Sequence, residues 1–181
     1  MLVPQDSVLV VVDVQGKLAQ LMHGKEELFE NIKRIIRGAQ ILDIPVLWVE
    51  QNPAGLGPTI PEIAALLPGE PIPKFSFSCC GETRFMEALG KLNRRQVLLA
   101  GIEAHVCIYQ TAIDLAGLQY EVQIVADAVS SRTARNRDIG LQRAKDGGAS
   151  LTSVELALFE LLRVAEGPRF KEILDVVRTR L

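Results

Sequence analysis

Basic excess, a cysteine framework and long apolar runs are all missing from this sequence, and histidine is nearly so. Twenty Lys and Arg against 22 Asp and Glu give a net charge of −2. The basic residues are scattered, which removes the electrostatic footprint of a nucleic-acid binder. Arg132, Arg135 and Arg137 come nearest to a cluster, and three arginines at a loop and helix start make a solvated surface. Three cysteines, two of them the neighbours Cys79 and Cys80, cannot build a disulfide framework, and no CxxC pair is present. The expected compartment is therefore reducing, the cytoplasm. No stretch approaches the ~18 apolar residues of a membrane-spanning helix. The opening MLVPQDSVLVVVD has no basic region ahead of its short apolar run, so it reads as a buried strand and no membrane partner is expected. The glycines at 55 and 57 and at 147 and 148 match neither a phosphate loop nor a dinucleotide fingerprint, and no cofactor is expected.

What is present is ordinary in bulk and informative in pattern. The 181 residues, 48% hydrophobic and 23% charged, suit one domain spanning 1–181 with a sizeable core. The runs Val8–Val12, Val46–Val49, Val97–Ala100 and Val122–Ala126 are apolar with little polar alternation, as strands buried on both faces of a parallel sheet are. Between them, Leu28, Ile32, Ile35, Ile36, Ala39 and Leu42 fall on one helical face. Phe85, Met86, Leu89 and Leu92 do the same, as do Val106, Tyr109, Ile113 and Ala116. A short sixth strand near Ala149–Leu151 precedes a helix that Thr152 and Glu155 would cap as a capping box. Gly167 and Pro168 break the chain before a last helix. The segment Gln51–Pro73 holds six of the nine prolines and reads as a shaped loop with one short helix. The prediction is an α/β protein: a three-layer α/β/α sandwich on a doubly wound, six-stranded, mostly parallel sheet of Rossmann type.

In such a sheet ligands sit beyond the carboxyl ends of the strands, where strand order reverses. That selects Asp13 and Gln15, Glu50 to Asn52, Lys74 to Phe77, Gly101 to Cys107, and Asp127 for inspection. Taken singly they are bland. Asp13 after a strand suits a turn or helix cap, Lys74 in PIPKFSFS suits a snorkelling side chain, and Cys107 at a strand-to-helix corner suits a small buried hydrophobe. Together they place a carboxylate, an ammonium and a thiol at three strand ends. Lys74 and the helix start near Cys107 would lower the thiol pKa, and Asp13 could take the thiol proton and return it to a leaving group.

The segments VVVDVQ, PIPKFSFS and GIEAHVC, in this order and spacing, resemble the three signature segments of the isochorismatase-like cysteine hydrolases, a superfamily that includes nicotinamidases and N-carbamoylsarcosine amidohydrolases. With WVEQNPAGLGPTIPEI, the chain looks most like the small isochorismatase-domain-containing subgroup of unestablished substrate. The resemblance implies Asp13 as acid/base, Lys74 as the cation beside the thiolate and Cys107 as nucleophile. It also implies a cis peptide at Ile102–Glu103, in a loop whose backbone N–H groups, with that of Cys107, would face a developing oxyanion. Nicotinamidases hold a metal on an Asp and two His near the second strand. Here that stretch has Glu50 and Gln51 but no histidine, so no metal is expected. Retention of Cys107 favours acyl transfer from a small amide or related carbonyl through a thioester, metal-independently. The alternatives are isochorismatase-type ether hydrolysis by the Asp and a non-catalytic scaffold that keeps the fold. A thiol redox sensor would need a resolving partner. Gln15, Trp48, Phe77 and Tyr109 are the expected pocket residues for a small-molecule substrate, and relatives imply a homo-oligomer.

Overall fold

The computed structural model describes residues 1–178. Six parallel strands form one sheet in the order β3-β2-β1-β4-β5-β6. They are β1 (Ser7–Val12), β2 (Val46–Gln51), β3 (Ile72–Lys74), β4 (Gln96–Ile102), β5 (Glu121–Ser130) and β6 (Ser150–Thr152). β1 and β4 take the middle because every residue of both is buried, as a strand covered on two faces requires. The expected sheet was mostly parallel; the observed one is parallel throughout.

Helices α1 (Gly16–Gln20), α2 (Lys25–Ile41), α3 (Pro53–Leu56), α4 (Pro61–Ala64), α5 (Thr83–Leu92), α6 (Tyr109–Gly117), α7 (Ala134–Asp146), α8 (Val154–Leu162) and α9 (Gly167–Arg178) complete the described chain. Two cores lie on opposite faces of the sheet. Leu9 and Val11 of β1 pack with Ile32, Ile36, Leu158 and Ile173 under α2, α8 and α9. The alternate residues Val8, Val10 and Val12 pack with Phe85, Leu89, Ala112 and Leu115 under α5 and α6, with α7 closing the same side. Burying each such side chain contributes roughly 1.5–3 kcal/mol before the entropy cost of ordering it. The result is a three-layer α/β sandwich.

Three local expectations shift. The Gln51–Pro73 loop contains two one-turn helices, α3 and α4, each opened by a proline that presets its φ. Helix α8 is capped by Ser153, whose hydroxyl accepts from Leu156 N (3.2 Å), because Thr152 is still the last residue of β6. The deeply buried stripe at the start of α6 is Ile108, Thr111, Ala112 and Leu115, not Val106, Tyr109, Ile113 and Ala116. The segment Ala104–Ile108 is a wide π-turn, with Ile108 N reaching back to Glu103 O (3.2 Å), and the extra residue rotates the helix phase.

Strand order runs 3-2-1 on one side of the sheet's centre and 4-5-6 on the other. The reversal falls between the carboxyl ends of β1 and β4, the place where α/β sheets bind ligands.

Candidate active site

Asp13 is the first residue beyond β1, and its backbone takes the left-handed conformation (φ 54°). Aspartate tolerates that region better than most side chains, so the strand can turn at once and leave the carboxylate over the sheet end. Lys74 ends β3 in register with Gln51 of β2. Two strand spacings, about 10 Å, separate β3 from β1, a gap that a long lysine side chain crosses. It does so entirely inside the protein: Lys74 is fully buried. Its Nζ donates to Asp13 Oδ2 (2.8 Å), Gln51 Oε1 (2.7 Å), Ser76 O (3.2 Å) and Phe77 O (3.1 Å). A buried ammonium is tolerated only when paired and hydrogen-bonded, and these four acceptors meet that requirement. Asp13 Oδ1, also buried, has no hydrogen-bond partner of good geometry.

Cys107 arrives from the other side of the reversal point. Gly101 (φ 119°) lies opposite Val12, so close that a Cβ there would strike Val12 O. The next peptide, Ile102–Glu103, is cis, and the π-turn then carries Cys107 into α6. Neighbours pin this loop. Glu103 Oε2 accepts from Arg132 N (3.0 Å) and Arg132 Nε (3.1 Å), and His105 Nδ1 shares a hydrogen bond with Ser131 Oγ (2.9 Å). Thr111 Oγ1, one turn beyond Cys107, accepts from Cys79 N (2.9 Å) and ties the loop after Lys74 to the cysteine's helix. Helix α7 presses against the loop at Gly140, where a Cβ would lie 2.6 Å from His105 Cα and 2.7 Å from Ala104 O. Gly140→Ala is therefore expected to cost about 1–3 kcal/mol by overpacking against backbone. It should also slow alkylation of Cys107 by displacing its turn; urea denaturation and mass-spectrometric labelling check the two effects.

The Asp13 carboxyl and the Cys107 thiol stand close enough to shift each other's proton affinity. Burial raises the Asp13 pKa, opposed by the charge and hydrogen bond of Lys74. Burial also raises the Cys107 pKa, the negative charge of Asp13 adds to the rise, and Lys74 only partly offsets it. This corrects the lowered thiol pKa expected from the sequence: burial and the Asp13 charge outweigh the cation, whose N–H groups are shared among Asp13, Gln51 and two backbone carbonyls. Burial and the Asp13 charge thus both favour the protonated thiol at Cys107. Cys107 alkylation is thus expected to keep rising above pH 9, and Asp13→Asn should move that rise to lower pH by removing the charge that disfavours the thiolate. Rate–pH profiles for wild type and variant test both signs.

A cavity of about 100 Å³ opens beside Cys107, lined by Asp13, Leu18, Gln51, Ile102, Glu103 and Val106, with Leu56 and Phe77, its most exposed lining residues, at the mouth. Phe77 is the one expected pocket residue that lines it. Gln15 is fully buried as a brace: its Nε2 donates to Gln51 O (3.1 Å) and Gly57 O (2.7 Å), and its Oε1 accepts from Gln51 N (2.7 Å). Trp48 points into the core on the α2 side, its Nε1 donating to Pro68 O (2.8 Å). Tyr109, rotated by the π-turn, meets α7, where Arg143 stacks on its ring (5.5 Å) and Nη2 donates to its hydroxyl (3.1 Å). Leu18 and Leu56 were missed, while Gln51 and Val106 lay in the stretches selected for inspection without being assigned to the pocket. Gln51 carried a signal as a polar residue at the end of β2. Glu50, the nearest thing to a metal ligand in the sequence, accepts from Thr59 N (2.7 Å) and Thr59 Oγ1 (2.8 Å). Among the described residues no group of three His, Cys, Asp or Glu side chains is placed to hold a metal ion.

Comparison with known proteins agrees with the fold and the segments. The family profile described as Isochorismatase domain matches residues 7–155. The secreted isochorismatase effector Isc1 of Phytophthora sojae is 37% identical, over 99% of this chain and 88% of its own. The MAR1 ribonuclease structure from Caenorhabditis elegans is 37% identical and superimposes with a TM-score of 0.91, covering 98% of this chain and 92% of that one. The YcaC structure from Escherichia coli, an octameric hydrolase of unknown specificity, has a TM-score of 0.91 at 22% identity, covering 97% and 88%. No helix among the described residues is long and apolar enough to cross a membrane. With three signature segments meeting at one sheet end and the profile spanning most of its length, this chain belongs to the isochorismatase family.

Proposed function

We propose that residues 1–181 act as one hydrolase domain, using Asp13, Lys74 and Cys107 on a small amide or related carbonyl compound through a thioester, without a metal. The observation that carries this reading is the buried Lys74–Asp13 pair, whose second carboxylate oxygen makes no hydrogen bond of good geometry, with the carboxyl beside the thiol at a cavity wall. In the proposed reaction Cys107 Sγ attacks the carbonyl carbon as its proton passes to Asp13. The tetrahedral oxyanion is held by backbone N–H groups of the cysteine loop, that of Cys107 among them. Asp13 returns the proton to the leaving nitrogen, the C–N bond breaks and the amine departs. A water then loses its proton to Asp13 and attacks the thioester carbonyl; the C–S bond breaks, the acid departs and Asp13 returns the proton to Cys107 Sγ. Lys74 favours the ionised form of Asp13, opposing the burial that raises its pKa.

The raised Asp13 pKa also suits protonation of a vinyl ether, so the test must separate the two chemistries. Turnover of primary amides, N-carbamoyl compounds and isochorismate is measured for wild type, Cys107→Ala and Asp13→Asn. Amide turnover lost in both variants supports the covalent route. Isochorismate turnover that survives Cys107→Ala and fails in Asp13→Asn overturns it.

The same reading places the chain in a reducing compartment such as the cytoplasm, supported by its three free cysteines, although the Phytophthora relative is secreted. It also takes the working form as a homo-oligomer, supported by the exposed apolar side chains Leu21 and Phe75. Light scattering on the purified protein tests the latter.

A further inference from the structure

We infer that the cavity beside Cys107 accepts short, uncharged acyl groups and rejects carboxylate-bearing ones, with Glu103 setting the charge limit and Phe77 the length limit; the substrate class follows if the hydrolase reading holds.

Two acidic residues, Asp13 and Glu103, are among those lining the cavity, and no lysine, arginine or histidine is. The nearby cations stand behind those carboxylates. Lys74 Nζ is engaged by Asp13, Gln51 and two backbone carbonyls. Arg132 gives its Nε to Glu103 and turns outward, its side chain 57% exposed. An entering carboxylate would therefore lose its hydration against apolar walls, Ile102, Val106 and Phe77, and meet two like charges before any cation. A primary amide of the same shape pays neither cost. It offers a carbonyl to backbone N–H groups and N–H donors to the carboxylates and to Gln51.

Size acts in the same direction. A volume of about 100 Å³ holds a chain of a few heavy atoms. Its deep wall, Ile102, is fully buried core, whereas Phe77 (54% exposed) and Leu56 (36% exposed) stand at the mouth. The limit on length is thus set by rim side chains that can be cut back without opening the core.

The test uses the whole chain and needs no known substrate. Cys107 is alkylated at pH 8 by iodoacetamide and by iodoacetate, which form the same S–C bond, expel iodide and differ only in charge. Peptide mass spectrometry reads each rate, and glutathione supplies the intrinsic ratio. The amide-to-carboxylate ratio at Cys107 is expected to exceed the glutathione ratio by about tenfold or more, and Glu103→Gln should reduce that excess several-fold. Phe77→Ala should raise labelling by N-hexyl iodoacetamide, relative to iodoacetamide, by about tenfold or more. A wild-type ratio equal to that of glutathione overturns charge selection whether or not any variant folds. Turnover of butyramide against succinamate then separates the two layers. Equal turnover of both overturns the selection while the hydrolase stands, and turnover of neither overturns the hydrolase reading and the substrate class with it.

Discussion

Cys107→Ala is expected to lower amide turnover by about 10⁴-fold or more, on the scale seen when a covalent nucleophile is removed from an assembled site. The size of the loss follows from what remains. Asp13 and Lys74 stay in place, since Cys107 takes no part in the four contacts of the Lys74 ammonium. Yet a water occupying the lost sulfur's position is a far weaker nucleophile and has no covalent intermediate to divide the barrier. Stability should change little, because the lost Sγ lies at a cavity wall. The check has two parts: steady-state turnover, and acid-quenched mass spectrometry for an acyl adduct on the Cys107 peptide. An adduct in wild type that is absent from the variant supports the thioester route. Full turnover by Cys107→Ala ends it.

Lys74→Met is expected to be the most destabilising change at the site, by about 3–5 kcal/mol at neutral pH, because it leaves a buried carboxylate without its counter-ion. For a chain of this length that is a fall in Tm of roughly 10 °C or more. The pH dependence has a definite sign. Burial already holds the Asp13 pKa above its ordinary 3.8, and the Lys74 charge is the largest influence opposing the rise. Without it the folded-state pKa climbs further. A group whose folded pKa exceeds its unfolded one favours folding below the unfolded value and loses that contribution as pH rises through the folded value. The stability deficit of Lys74→Met should accordingly grow from pH 4 toward neutrality. Activity that needs ionised Asp13 should have its acid limb moved to higher pH. Asp13→Asn/Lys74→Met, which removes both charges, should recover part of the loss. Thermal denaturation across pH for the three proteins measures all of this, and a deficit independent of pH would count against a charged Asp13.

The strands and most helices could be read from the chain because each carries its own periodic signal. Val8–Val12 is buried on both faces and looks it, and Leu28 to Leu42 repeats at helical spacing. Where the reading failed, a single local device had changed the phase: Ser153 in place of Thr152 at a cap, and the π-turn that rotated Tyr109 away from the cavity and toward α7. Trp48 and Gln15 were misassigned for a related reason. A residue near a strand end can face either side of the sheet or be claimed by a loop, and composition does not say which.

Asp13, Lys74 and Cys107 illustrate the division. Order and residue type alone marked them as a group, because chemistry beyond three strand ends converges in any doubly wound sheet, and the segments around them carry the family likeness. Their electrical state was another matter. The sequence suggested a cation at the thiol; the fold directs that cation to Asp13 Oδ2 and three other acceptors, and leaves Cys107 a buried thiol whose pKa is raised. Proton affinity is the sum of desolvation and charge–charge distances, and both depend on how β3, β1 and the π-turn pack together. The sequence by itself determined which groups meet at the sheet end. Only the tertiary structure decided in which direction each proton affinity moves, because burial and separation are properties of packing and not of residue type.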